Sequence, residues 1–167
     1  MRRKMHGRTF AIVLAAVTVG AATGMTPSAH AAPPGRSSDE LKLLAAMNTA
    51  RVAKGLPRLR VNAVLAAPAR THSAALAGTG ELDHDGPNGE PFWKRLVAAG
   101  YPRNSWMGEN LALWPDCTWS PATVVRMWLQ SPGHRANLLS KKFRVVGVGI
   151  ASNAGCTATV FTTDFGG

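Results

Sequence analysis

Two stretches decide the reading of this chain: Gly108-Glu109-Asn110-Leu111-Ala112, and Trp128-Leu129-Gln130-Ser131-Pro132-Gly133-His134-Arg135-Ala136-Asn137-Leu138-Leu139. A third, Leu82-Asp83-His84-Asp85-Gly86, has the same character. Each sets a titratable side chain beside glycine or proline, where the backbone turns and other groups approach closely, and each adjoins apolar residues suited to a core. His84, Glu109 and His134 are therefore the candidate functional residues, with Asn110, Ser131 and Arg135 as supporting groups. Their equal spacing falls in unlike contexts and carries no meaning.

Working outward, Ser37-x-x-Glu40 reads as a capping box opening a helix. Leu41, Leu44, Ala45, Asn48 and Val52 fall on its expected inner face, and Gly55 with Pro57 ends it. Asn62 is a possible N-cap for a second helix with Leu65, Ala69 and Leu76 inward and Gly78 and Gly80 as its stop. Pro68 implies a later start or a kink. Pro91 starts a short helix closed by Gly100, and Tyr101–Trp119 reads as irregular. Ser120-Pro121 caps a helix carrying Val124, Val125, Trp128 and Leu129, which Pro132-Gly133 ends. Val145–Ala151 and Thr157–Asp164 read as strands joined by a long turn containing Gly155. Helices first and strands last predict an α+β domain, not alternating βαβ units.

The N-terminus has a different composition. Arg2, Arg3, Lys4 and Arg8 precede an apolar run from Phe10 to Ala22, and Ala29-His30-Ala31 has small residues where signal peptidase cuts. The run is shorter than the roughly 18–20 apolar residues of a spanning helix, and no second run of that length follows. Residues 1–31 are thus expected to be a signal peptide for the general secretory route, 32–38 a flexible lead-in, and 39–167 one domain. Removing the leader takes away four of the 19 basic residues, leaving 15 against nine acidic ones, a net charge of +6. The one tight basic cluster is Lys141-Lys142-x-Arg144. Such a surface can adhere to anionic wall, membrane or nucleic acid. No interleaved aromatic and basic motif marks a specific nucleic-acid reader. Cys117 and Cys156 are the only cysteines. In an exported chain they are expected to pair, closing a loop of about 40 residues worth on the order of 4 kcal/mol in the chain-entropy model.

Taken together, the G-E-N-L-A and W-x-x-S-P-G-H-R-x-N-L-L segments, the Phe143…Gly147-Val148-Gly149 strand and the closing Asp164-Phe165-Gly166 resemble the bacterial branch of the CAP superfamily. This is the group of cysteine-rich secretory, pathogenesis-related-one and SCP-like extracellular proteins. The likeness covers about Asp39 to Gly166. It implies an α-β-α sandwich, an antiparallel sheet between helical layers, and a cleft with His84, Glu109 and His134 at the family positions. Eukaryotic members carry another glutamate three residues after the helix tryptophan; after Trp128 that position is Ser131.

The trio admits several chemistries. Two imidazoles and a carboxylate can hold Zn²⁺ or another divalent metal with an open position. With no H-E-x-x-H pair, a weak site is expected over a tight catalytic one. A hydrogen-bonded network of Glu109, Arg135 and the histidines is the structural alternative. The expected function is a secreted or envelope-associated monomer binding a lipid-like or other small extracellular ligand, or a cell-envelope component. The alternative is a secreted peptidase-like hydrolase using the same residues. His72 is expected on a helix face or in the core. Trp106, Trp114 and Trp119 are expected in the core or along an apolar groove.

Overall fold

A computed structural model describes residues 37–167. The expected signal peptide and cleavage site lie outside the described residues.

Ser37 caps the first helix, α1 (Ser38–Val52): its hydroxyl accepts from Glu40 N, and the Glu40 carboxylate accepts from Ser37 N, both at 3.2 Å. Ser37 and Ser38, placed by sequence in the lead-in, thus already belong to the fold. The inner face of α1 differs from expectation. Glu40, Leu43, Met47, Asn48 and Arg51 are buried, while Leu41 and Val52 are 45% and 47% exposed. The reason is Arg51, whose fully buried guanidinium donates to the carbonyls of Pro57, Leu138, Ser140 and Phe143. A cation so satisfied can occupy a core position that composition assigns to leucine.

Asn48 holds Leu59 through both its amide N–H and C=O. This leads the chain into β1 (Arg60–Val61) and then α2 (Ala63–Thr79), capped by the Asn62 side chain and ended by Gly80 in the left-handed region at φ 73°. The helix runs through Pro68 and starts at Ala63. A two-pronged Glu40–Arg70 ion pair, both contacts at 2.6 Å, ties α1 to α2.

The remaining elements are α3 (Phe92–Ala98), β2 (Met107–Trp114), α4 (Pro121–Gln130), α5 (Pro132–Leu138), β3 (Val145–Ser152) and β4 (Thr159–Gly166). Two were not expected. β2 occupies the middle eight residues of the stretch read as irregular; it escaped notice because it is buried along both faces and shows no polar–apolar alternation. α5 follows directly on α4, because Pro132 ends one helix and supplies the first residue of the next.

The sheet order is β1-β3-β4-β2, with β4 antiparallel to both neighbours and β1 parallel to β3. The sheet is therefore mixed, a correction to the expected antiparallel one; the crossover through α2 and the following elements makes the β1–β3 pair parallel. Phe161, Phe165, Val146, Val148 and Ala112 pack with α1 and α4 residues including Leu43, Met47 and Trp128. On the opposite face, Leu111 and Val160 pack with Leu76 and Ala77 of α2. The α+β sandwich is as expected. Cys117 and Cys156 are disulfide-bonded, linking the segment after β2 to the β3–β4 turn.

α2 lies very close to β3. A Cβ at Gly147 would come within 2.1 Å of the Leu65 carbonyl carbon, and one at Gly149 within 2.3 Å of Ala69. Ser73 completes this contact, donating to the Gly149 carbonyl at 3.0 Å, with its oxygen 2.9 Å from Thr162 Oγ1. Gly149→Ala is expected to lower the unfolding free energy by about 2–3 kcal/mol or more, since backbone cannot yield as a side chain does. Urea denaturation checks it; an unchanged midpoint would contradict the close approach.

Candidate functional site

Glu109 sits in β2, directly opposite Asp164 of β4 in the register, on the sheet face that carries α2. Its side chain has 0% exposure. A carboxylate removed from water needs partners, and two converge on it. His84 Nδ1 donates to Oε1 at 2.7 Å, and Arg95 Nη2 donates to Oε2 at 2.5 Å. Arg95 comes from α3, and its Nη1 also donates to the His84 carbonyl at 3.1 Å. One guanidinium thus neutralises the carboxylate and holds the loop that presents its other partner. Because a carboxylate only accepts, Nδ1 of His84 carries the hydrogen, and Nε2 is left for a ligand. The Glu109 bond raises the His84 pKa above its usual range, against the opposing effect of partial burial.

Asp164 lies beneath this pair. It is fully buried, and neither of its oxygens finds a donor. As a carboxylate it would face Glu109 with nothing between two negative charges. As a carboxylic acid it donates to Glu109. Burial first, then the Glu109 charge and that hydrogen bond, push its pKa well above the ordinary value. The floor of the site is thus a buried acid whose neutral form is favoured over its charged one.

The next residue of β2 faces the other layer. Asn110 donates to the His134 carbonyl at 3.0 Å, and Asn137 donates to Glu109 O at 2.9 Å and Asn110 Oδ1 at 3.0 Å. These bonds dock α5 against the edge strand. They bring His134 within electrostatic reach of His84, whose charge, after burial, lowers the His134 pKa. The His134 imidazole makes no hydrogen bond among the described residues. Direct contact therefore joins His84 and Glu109, while His134 approaches from the opposite layer.

Three residues enter that the sequence did not single out for the site. Arg95 was one scattered cation among many. Asp164 was seen only as part of a closing strand, although a lone acid in Val160-Phe161-Thr162-Thr163-Asp164-Phe165 is itself a signal. His72, expected on a helix face or in the core, is buried, donates from Nε2 to the Asp83 carbonyl at 2.8 Å, and is held below its usual pKa by burial and then Arg95. Arg135, expected in the network, is instead exposed on α5, and among the described residues its side chain makes one hydrogen bond, a 3.5 Å contact to Leu129 O. Arg95 fills the role assigned to it, because α3 points at Glu109. Ser131 is the N-cap residue of α5, without a side-chain cap bond. Trp114 and Trp119 pack partly buried against the core, whereas Trp106 is 59% exposed.

A three-ligand metal centre does not fit this arrangement. Both Glu109 oxygens are engaged, by His84 and by Arg95, and among the described residues no three His, Cys, Asp or Glu groups are spaced to hold an ion. A groove of about 400 Å³ is lined by residues of α2 and of the loop after it, among them His72, Leu76, Leu82, Pro87 and the acidic Glu81, Asp83 and Asp85, but by none of His84, Glu109 and His134.

Comparison with known proteins now fixes the class. Residues 44–165 match the sequence model of the cysteine-rich secretory protein (CAP) family. The chain belongs to that family. It is 32% identical over 125 residues to YkwD, an uncharacterized protein of Bacillus subtilis, covering 74% of this chain and 47% of that protein. The chain thus spans about half the length of that relative. Among solved structures, an extracellular SCP-domain protein from Bacillus anthracis aligns with 26% identity and a TM-score of 0.61, over 75% of this chain and 39% of that one. An outer surface protein of Borrelia burgdorferi aligns with 20% identity and a TM-score of 0.67, over 78% of this chain and 94% of that one, a likeness of fold.

Two outcomes follow from the geometry. Arg95→Leu leaves Glu109 buried with half its partners and should cost about 3 kcal/mol or more of stability, read by chemical denaturation. Asp164→Asn keeps a donor to Glu109 but cannot ionise. Because the folded pKa of Asp164 is raised, the stability that the wild-type acid contributes is complete below its ordinary value near 3.8 and is lost as pH rises toward the folded value. The melting temperature of Asp164→Asn should therefore gain on wild type progressively as pH is raised above about 4. A difference flat with pH would mean that the acid holds no proton there.

Proposed function

We propose that the protein is an exported binding module. Its cleft over the edge strand β2 takes a lipid-like or other small extracellular ligand, with the chain released from its leader before Ala32. The observation that supports this reading is the groove between α2 and the loop that follows it, where Leu76, Leu82 and Pro87 offer apolar contact beside the polar His72 and Asp83; His84, held by Glu109, belongs to the same loop without lining that groove. Apolar lining with a few oriented polar groups is the composition of small-molecule sites. The relative from Bacillus anthracis is described as extracellular, which agrees with the leader-like N-terminus. No helix among the described residues is long and apolar enough to cross a membrane.

A divalent ion at this site would have the two imidazoles, His84 and His134, as its donors. A two-donor site is weak and exchangeable, and the reading does not depend on it.

The test offers residues 32–167 a mixture of long-chain fatty acids and lysophospholipids, and separately soluble cell-wall fragments. Mass spectrometry then identifies what stays bound through gel filtration. One of these classes is expected to be retained. Leu82→Glu, at an exposed groove position, and His84→Ala should each weaken retention about tenfold or more. Retention of nothing, or equal retention by both variants, would remove this function from the cleft.

A further inference from the structure

Charge is segregated along this chain. Residues 41–80 and 117–163 contain no acidic residue, while 81–116 holds Glu81, Asp83, Asp85, Glu90, Glu109 and Asp116. Folding joins the two acid-free stretches. Arg60, Val145, Gly166 and Met107 are successive register partners in one row across the sheet, at the end where β1, β2 and β3 begin and β4 finishes. Just beyond that row lie Arg58, Arg144 and Trp106, with Lys141 and Lys142 in the turn that leads into β3. Arg60 N donates to the Arg144 carbonyl at 3.0 Å, and Gly167 N to that of Trp106 at 3.0 Å.

Arg58, Arg60, Lys141, Lys142 and Arg144 are exposed, and among the described residues none of them forms an ion pair. Their backbone is fixed from within, because Arg51 holds the carbonyls of Leu138, Ser140 and Phe143. Trp106, 59% exposed, carries the Lys142 ammonium 3.3 Å from its ring centroid.

We propose that this end of the sheet is a docking surface for an anionic lipid bilayer. Uncompensated cations meet the negative surface potential, and an exposed indole among them is the side chain that settles at the boundary between headgroups and acyl chains. A soluble polyanion would use the cations alone, whereas the indole, 59% exposed even with Lys142 over its ring, adds an apolar surface that a bilayer takes up. The surface shares no side chain with the cleft, so it stands or falls separately from the ligand reading.

The test is co-sedimentation of residues 32–167, the chain that carries every described residue, with vesicles of phosphatidylcholine alone or with about 30 mol% phosphatidylglycerol. Binding is expected only to the second, with release near 0.5 M NaCl, where the screening length falls to about 4 Å or less. Lys141→Glu/Lys142→Glu should weaken it about tenfold or more, and Trp106→Ala about threefold or more. Lys94→Glu/Arg126→Glu, an equal charge change elsewhere, should leave it within about twofold. Unchanged thermal melts show that each variant is folded. Equal binding to neutral vesicles, or indifference to Lys141→Glu/Lys142→Glu, overturns the proposal. So does retention on polyphosphate without vesicle binding, which would make a wall polymer the partner.

Discussion

The burial of one carboxylate organises the functional half of this molecule. Glu109 has no contact with water, and an unpaired charge there would cost more than a domain of this size can spare. It is met by Arg95 and His84, which come from α3 and from the loop between α2 and α3. That loop is polar and largely exposed, and nothing in its own composition would order it. The ion pair and the Arg95 bond to the His84 carbonyl do so. The same requirement extends downward. Asp164, fully buried on the strand next to the edge and facing Glu109, has its ionisation disfavoured by burial and then by that charge.

Strand geometry distributes these roles. Successive side chains of a strand point to opposite faces, so Glu109 serves the α2–α3 layer while Asn110 serves the α4–α5 layer. Two adjacent residues thereby fasten both layers to one edge strand, with Asn137 closing the arrangement from α5. The glycines at 147 and 149 let the backbone of α2 lie directly on β3. That close approach carries His72 to its place beside the loop, where it fixes the Asp83 carbonyl.

The parts of this design legible in the sequence are those governed by local chemistry. Ser37, Asn62 and Ser120 do cap helices, Gly80 ends one, and the last two strands form a hairpin. The parts that were not legible are governed by long-range compensation. β2 lacks alternation because helices cover both of its faces, so neither Glu109 nor Asn110 marks an outer surface. The inner face of α1 was misplaced because Arg51 is satisfied by carbonyls some ninety residues away. Arg95 was overlooked, and Arg135 preferred, because a seven-residue helix with two basic residues does not disclose which of them turns inward. The motifs brought His84 and Glu109 to notice together; the buried acid that underlies them was visible only once β4 was paired with β2.

The two histidines of the cleft are chemically unequal, and this follows from the same carboxylate. His84 is bonded to Glu109 and therefore holds its proton more firmly than a free imidazole. His134 has no such partner; burial and the charge on His84 make it give up its proton more readily. The same carboxylate therefore moves the two imidazoles in opposite directions from the ordinary 6.5. The difference between the two imidazoles is thus set by a charge that neither of them carries.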